Sequence, residues 1–200
     1  MTEVHLGRLL AASLHQAIGE ELPMRLDFYE NWLTSEGMRD GSIGLAPMQG
    51  VLGFLRTEGP AYERVMSRAG RLAAEWTLMS LPAGRRRFVS ALPRWFRVRA
   101  ALRVAREIAL SIRSSAPVTV RVKGRAARVE FVASVFCAVR DRQAEPLCRF
   151  YAALVTSTLV AFGVPAVATL SECRAMGASR CVILLDFSAT GTLPEEAAAA

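Results

Sequence analysis

Apolar residues recur at helical spacing through the first two thirds of the chain. Over residues 4–18, Leu6, Leu9, Leu10, Leu14, Ala17 and Ile18 fall on one stripe, the i, i+3, i+4 rhythm of a helix buried by one face. Pro23 interrupts it, and MRLDFYENWL predicts a second short helix bearing Phe28, Tyr29 and Trp32. TSEGMRDGSIG follows, with Gly, Ser and Asp gathered as in a loop. LAPMQGVLGFL resumes as a short apolar helix to Leu55. A longer helix begins near Pro60, where the missing N–H is not needed, and ends before Pro82; its stripe is Tyr62, Val65, Met66, Ala69, Leu72, Ala73 and Trp76. Pro93 opens another, with Trp95, Val98, Leu102, Ala105, Ile108, Ala109 and Ile112 on the apolar face and Arg94, Arg97, Arg103, Arg106 and Arg113 outside.

The period then changes from helical to alternating. PVTVRVKGRAARVEFVAS sets Val118, Val120 and Val122 against Thr119, Arg121 and Lys123 and turns near Gly124, a hairpin of two half-buried strands. A linker with Pro146 leads into LCRFYAALVTSTLVAFG, a helix ended by Gly163. AVATLSEC and RCVILLDFS read as two more strands joined by a short loop. Helices followed by β-β-α-β-β predict an α+β domain: a four-stranded, mainly antiparallel sheet with helices on one face. Residues 1–114 form its helical part and 115–188 the ββαββ part. The tail 189–200, ATGTLPEEAAAA, has little to bury and is expected to be disordered.

Half of the residues (52%) are apolar, enough for one sizeable core, and the charged fraction is ordinary, which argues against wholesale disorder. Charges at Glu3, His5 and Arg8 and the run into Glu20 and Glu21 mark the first segment as an amphipathic helix rather than a signal peptide. No apolar run is long enough to span a bilayer, so the expected location is cytoplasmic with no transmembrane segment. The net charge of +7 is concentrated in GRRRFVSALPRWFRVRAALRVAREIALSIR, a stripe that suits nucleic acid, an anionic membrane surface touched peripherally, an acidic ligand, or solvent alone. Nucleic acid is the weakest of these, because no strand or loop shows the interleaved aromatics that stack bases.

The chemistry-bearing residues gather late. SECRAMGASRC places Cys173 at the end of one strand and Cys181 at the start of the next, so a hairpin brings the two sulfurs together. Cys148, at the first turn of the preceding helix, and Cys137, after the second strand, are the other candidates. Three readings stay open: a metal clip, a redox pair, and small buried hydrophobes. For a metal, zinc suits four soft thiolates. An apolar pocket between helices and sheet, lined by Phe54, Trp76, Phe136, Phe150 and Tyr151, is the candidate ligand site, although aromatics at such spacing also build ordinary cores. His5 and His15 lie turns apart on one helix, and Glu75 and Glu107 stand singly among apolar residues, which points to surface pairing rather than acid–base work. No Gly-rich dinucleotide fingerprint follows a strand, so no nucleotide cofactor is expected.

The run CRFYAALVTSTLVAFGVPAVATLSECRAMGASRCVILLDF resembles the 4-vinyl reductase domain family, on Glu172-Cys173, Gly177 and Cys181 within roughly residues 115–188. The resemblance implies a TRAPP-like fold of helices on a four-stranded antiparallel sheet, often dimeric. It also implies a zinc on three cysteines, matched by Cys148, Cys173 and Cys181, with a glutamate three residues before the hairpin cysteine. Here that position is Leu170, so either Cys137 replaces the carboxylate or no metal is held. Members serve bacteriochlorophyll biosynthesis or phenol sensing. The expectation is therefore a binding protein for a small hydrophobic ligand, a tetrapyrrole precursor or an aromatic compound, acting as carrier, sensor or assembly factor. The alternatives are a dimeric interaction module without ligand and an accessory subunit for a partner enzyme of a pigment pathway that reduces a vinyl group.

Overall fold

In the computed structural model, which describes residues 7–41, 43–112 and 117–188, the helical rhythm becomes α1 (Arg8–Glu21), α2 (Leu26–Glu30), α3 (Ser35–Asp40), α4 (Leu45–Thr57), α5 (Pro60–Ser80), α6 (Ala83–Ala91) and α7 (Arg94–Ile112). The alternating part becomes β1 (Val118–Lys123), β2 (Ala126–Phe131), α8 (Arg149–Ala161), β3 (Val167–Glu172) and β4 (Cys181–Asp186). Leu6, His5, Arg113 and the tail 189–200 lie outside the described residues.

Two segments differ from the sequence expectation. The stretch from Thr34, read as a loop, contains α3: the Thr34 hydroxyl accepts a hydrogen bond from the Gly37 N–H at 3.1 Å, and Gly41 closes the helix at φ 68°. Capping outweighs composition there. Residues 83–91 form α6, a helix that buries only Val89 and so leaves no apolar stripe to read.

The sheet runs in the order β1-β2-β4-β3 with every neighbouring pair antiparallel. Val129 pairs with Val120 on one side and Ile183 on the other, so the inward positions of the three strands line up as one apolar face. α7 and α8 cover that face: Leu102, Ala105 and Ala109 meet Val118, Val120, Val129, Phe131 and Val155 so closely that no room for water is left between them. On the opposite face Arg128 bridges Glu130 at 2.7 Å and Glu172 at 3.0 Å, and Arg180 reaches Glu130 at 2.9 Å. Most of that face is solvated, as the alternation requires, but the two arginines cover Glu130, which is buried.

α8 crosses α5 at Gly70, where an added Cβ would sit 2.2 Å from the Phe150 carbonyl oxygen. The absence of a side chain lets the two backbones touch. This crossing sets where the N-terminal end of α8, and hence Cys148, stands over the sheet. One correction concerns α7: Trp95, assigned to the apolar face, is 46% exposed.

Candidate metal centre

The four cysteines arrive from four separate segments. Cys137 ends a 3₁₀ turn after β2, Cys148 is the residue before α8, Cys173 follows β3, and Cys181 opens β4. All four are buried. The Cys137 sulfur lies 2.9 Å from that of Cys148, 3.4 Å from Cys173 and 3.6 Å from Cys181; Cys148 and Cys173 are 3.7 Å apart. All the Sγ atoms fall within 4.8 Å of one another, and none is in a disulfide.

Local backbone geometry explains the convergence. Phe131 of β2 pairs with Cys181, so the sheet itself carries Cys181 to the end from which the chain leaves β2 toward Cys137. The hairpin between Cys173 and Cys181 folds back through a 3₁₀ turn in which Met176 N–H and Ala178 N–H both donate to the Cys173 carbonyl. Gly177 takes φ 97° there, a left-handed conformation that glycine adopts without penalty. Its missing Cβ also leaves space for the Arg142 guanidinium, whose Nε would lie 2.8 Å from one. The linker is tied to the same turn by the Gln143 N–H donating to the Ala175 carbonyl at 2.8 Å.

The backbone N–H of Arg174 donates to the Cys181 sulfur at 3.4 Å. Hydrogen bonds divide the four thiols into two pairs. Cys173 and Cys181 are held below the ordinary cysteine value, chiefly by hydrogen bonds with Cys137 and then Cys148, helped by the Leu147 N–H at Cys173 and the Arg174 N–H at Cys181. Cys148 is held above it, first by its hydrogen bond with Cys137 and then by those with Cys173 and Cys181. At Cys137 the bond with Cys148 pulls downward, but Cys173, Cys181 and burial together push the thiol up.

Aromatic rings wall off this corner. Phe136 and Phe150 stand 4.9 Å apart between ring centres, Phe136 and Tyr151 5.3 Å, and Tyr151 stacks on Phe131 at 4.3 Å. Three of the five proposed ligand-contact residues, Phe136, Phe150 and Tyr151, are therefore brought together, as a packed group with Phe131. The other two are elsewhere: Phe54 is 42% exposed on α4 beside Phe28 and Trp32, and Trp76 is half-buried on α5. Where α7 and α8 lie over β1 and β2, the side chains leave no room for water between them.

An open cleft of about 490 Å³ lies instead beside the sulfurs, lined among others by Arg56, Tyr62, Glu63 and the backbone stretch from Gln143 to Leu147, the residue before Cys148. The Tyr62 hydroxyl donates to the Leu147 carbonyl at 3.1 Å, and burial pushes its phenol well above the usual value. Arg56 donates to the Phe136 carbonyl at 3.2 Å, while its buried Nε has no hydrogen-bond partner among the described residues. Sequence reasoning missed both residues. In the sequence Tyr62 reads as one more position of a core stripe, and the one available signal for Arg56 is a lone cation between Leu55 and Thr57 in an otherwise apolar helix. The two histidines and single glutamates are surface partners where described: His15 bonds Glu30 at 3.0 Å, Glu107 pairs with Arg85 at 2.7 Å, and Glu75 lies 3.8 Å from Arg68.

No described helix is long and apolar enough to cross a membrane. No protein-family model and no curated protein matches the chain. Among solved structures the chain is similar to the phenol-responsive sensory domain of the transcription activator PoxR, solved with phenol, at 16% identity over 71% of this chain and 73% of that one, with a TM-score of 0.47.

Proposed function

We propose that this protein is a binding domain of the 4-vinyl reductase type in which Cys137, Cys148, Cys173 and Cys181 hold one zinc ion as a structural brace, and in which the cleft bounded by Arg56 and Tyr62 receives a small aromatic acid. The observation that carries this reading is the convergence of four buried sulfurs within 4.8 Å. A zinc–sulfur bond of ~2.3 Å in a tetrahedron places its sulfurs ~3.8 Å apart. The spacings of 3.4 to 3.7 Å among Cys137, Cys173, Cys148 and Cys181 come close to that edge, and the pair at 2.9 Å needs only a small separation. There is space at their centre for a single ion, not for a cluster with its own inorganic sulfur. The N–H donors from Leu147 and Arg174 offset thiolate charge, and Cys137 takes the place of the carboxylate that Leu170 cannot supply.

Zinc supplies bonds between segments at such a site. With all four positions filled by protein there is no open place for water or substrate, which sets a structural site apart from a catalytic one. The residues of the chain do the rest. Tyr62 fixes Leu147 and therefore the start of α8, and the Arg56 guanidinium offers a cation to the cleft. A cleft of this size is in the range that holds small ligands. A single carboxylate on an aromatic ring suits Arg56, whether the ring belongs to a simple phenolic acid or to a propionate-bearing edge of a tetrapyrrole. No arginine of the 85–106 stripe lines the cleft.

The test measures metal per chain and binding of 4-hydroxybenzoate and its methyl ester by calorimetry. One zinc per chain, and an Arg56→Gln substitution that weakens the acid about tenfold or more while sparing the ester, support the reading; a hydrogen bond to a charged group contributes about 1.5–3 kcal/mol. Metal-free protein with native folding removes the brace, and equal weakening of acid and ester removes the assignment of the cleft.

A second reading, a dimeric interaction module, is favoured by the exposed group Met24, Phe28, Trp32 and Phe54 on the N-terminal helices. Sedimentation of the wild type against Trp32→Ser decides it: a dimer that the substitution dissociates supports this face as the interface, and a monomer at all concentrations rejects it.

A further inference from the structure

The positive charge of this protein is not spread over its surface. Between residues 76 and 106 there are eight arginines and no acidic residue, so the rest of the chain carries 17 basic against 18 acidic residues and is close to neutral. Elsewhere arginines meet carboxylates, as Arg64 meets Glu21 and Arg149 meets Glu63. In the stripe, Arg85 alone has a carboxylate within ion-pair distance among the described residues, and that partner is Glu107 of α7. The bridge also sets the outer faces of α6 and α7 side by side.

Bulky apolar side chains share this surface. Phe88 on α6 is 67% exposed, Phe96 57% and Trp95 46%, with Met79 at the end of α5 75% exposed. At 3.6 residues per turn, Trp95, Phe96, Arg99, Arg103 and Arg106 fall within an arc of about 100° on α7, flanking the buried face of Val98, Ala101, Leu102 and Ala105. Arg99 lies over the Trp95 ring, its Cζ 3.8 Å from the ring centre. Arg99, Arg103 and Arg106 then rim a groove of about 330 Å³ whose floor is Leu102, Val120 and Val122, three cations over an apolar base. Arg106 is fixed there by donating to the Val118 carbonyl at 2.8 Å.

We propose that the outer face of α6 and α7 docks on an anionic phospholipid surface, with Phe88, Trp95 and Phe96 entering the headgroup layer and Arg99, Arg103 and Arg106 receiving a lipid phosphate in the groove beside β1. The charge selects an anionic partner. The rings select a bilayer over nucleic acid: an arginine-rich helical face with Trp and Phe is the composition that lies in a membrane interface, where a ring sinks its apolar body and stays near the wet layer. Solvation alone would explain the arginines but not three large rings exposed among them. This surface shares no residue with the cleft, so the inference stands apart from the ligand and metal readings.

The experiment is co-sedimentation of the full chain with vesicles of phosphatidylcholine alone and of phosphatidylcholine mixed with phosphatidylglycerol, at low and high salt. Binding to the mixed vesicles, weakened by salt and absent on phosphatidylcholine alone, is expected. Arg99→Gln with Arg103→Gln should lower partitioning roughly 25-fold, about fivefold for each arginine. Arg39→Gln with Arg71→Gln, the same charge loss at exposed sites elsewhere, should change it much less. Quenching of tryptophan emission by brominated lipid should disappear in Trp95→Phe. All these side chains are exposed, so an unchanged thermal melt keeps the comparison valid. Failure to bind mixed vesicles, equal loss in both double variants, or binding to DNA or free inorganic phosphate without lipid quenching at Trp95 would overturn the proposal.

Discussion

Leu170 packs against the core from β3 at the position where the family resemblance calls for a carboxylate ligand, while Cys137 places its sulfur within 3.6 Å of Cys148, Cys173 and Cys181. If the fourth ligand is that thiolate, Cys137→Ser leaves three ligands, and competition with a chromophoric chelator should show zinc affinity reduced more than tenfold; unchanged affinity would remove Cys137 from the set. Gly177 is a residue of a different kind, required for its backbone. A side chain at φ 97° costs about 1–2 kcal/mol, so Gly177→Ala should lower the urea midpoint by a corresponding amount, and displacing Arg142 adds to that. Tyr29 gives a pH prediction. Burial first, then the Glu58 carboxylate, pushes its phenol up to about 12, whereas the unfolded phenol titrates near ~10. A raised folded value means that its stabilising contribution is complete below pH ~10 and is lost as the pH climbs toward the folded value. Tyr29→Phe should flatten this alkaline limb of stability; a limb as steep as before would assign it to another group.

Between elements, the α5–α8 crossing is the contact that leaves least tolerance. A methyl at Gly70 meets the Phe150 carbonyl oxygen at 2.2 Å and the Leu154 nitrogen at 3.1 Å, so the helices must part. Gly70→Ala is therefore expected to destabilise the protein by about 1–3 kcal/mol in urea unfolding, against the helix propensity that alanine would otherwise gain. A stabilised variant would mean that the crossing is looser than the backbone distances indicate. This contact was invisible in the sequence, where Gly70 reads as a small residue inside an amphipathic helix. Strands and long helices were legible because each repeats its own period: Val118, Val120 and Val122 alternate, and Val65, Met66, Ala69, Leu72 and Ala73 recur every three or four residues. α3 and α6 were not, since neither buries a stripe. Trp95 was misplaced because a ring next to apolar positions looks buried unless its neighbours on the arc, here Arg99 and Arg106, are weighed with it. The approach of Cys173 and Cys181 was legible from the strand ends, whereas bringing in Cys137 and Cys148 depended on how α8 packs across the sheet. The cleft was not, because Arg56 and Tyr62 come from helices about eighty positions before Phe136 and Leu147, which they bond.

Across the whole molecule, the four sulfurs join segments that span residues 137 to 181, while the helices reach the same core by apolar packing. A metal bound at that junction would close two loops, between Cys137 and Cys148 and between Cys173 and Cys181, that are otherwise tied by only a few backbone hydrogen bonds such as Gln143 N–H to the Ala175 carbonyl. Its binding free energy stabilises chiefly those parts whose own burial is small. α8 has a second anchor, since its middle is held on α5 at Gly70 whatever happens at its first turn. Chelation should therefore loosen the protein unevenly. Amide exchange is expected to quicken across residues 134–149 and 172–181 and to stay slow within α5 and from Leu154 to Leu159 of α8, with added zinc restoring the pattern. Acid should reproduce the effect, because protons compete with the ion for thiolate sulfur and metal affinity falls as the pH is lowered. Uniform quickening over all elements would mean that the ion is inseparable from the whole core. Unchanged exchange at the hairpin and linker would mean that side-chain packing alone holds these sulfurs together.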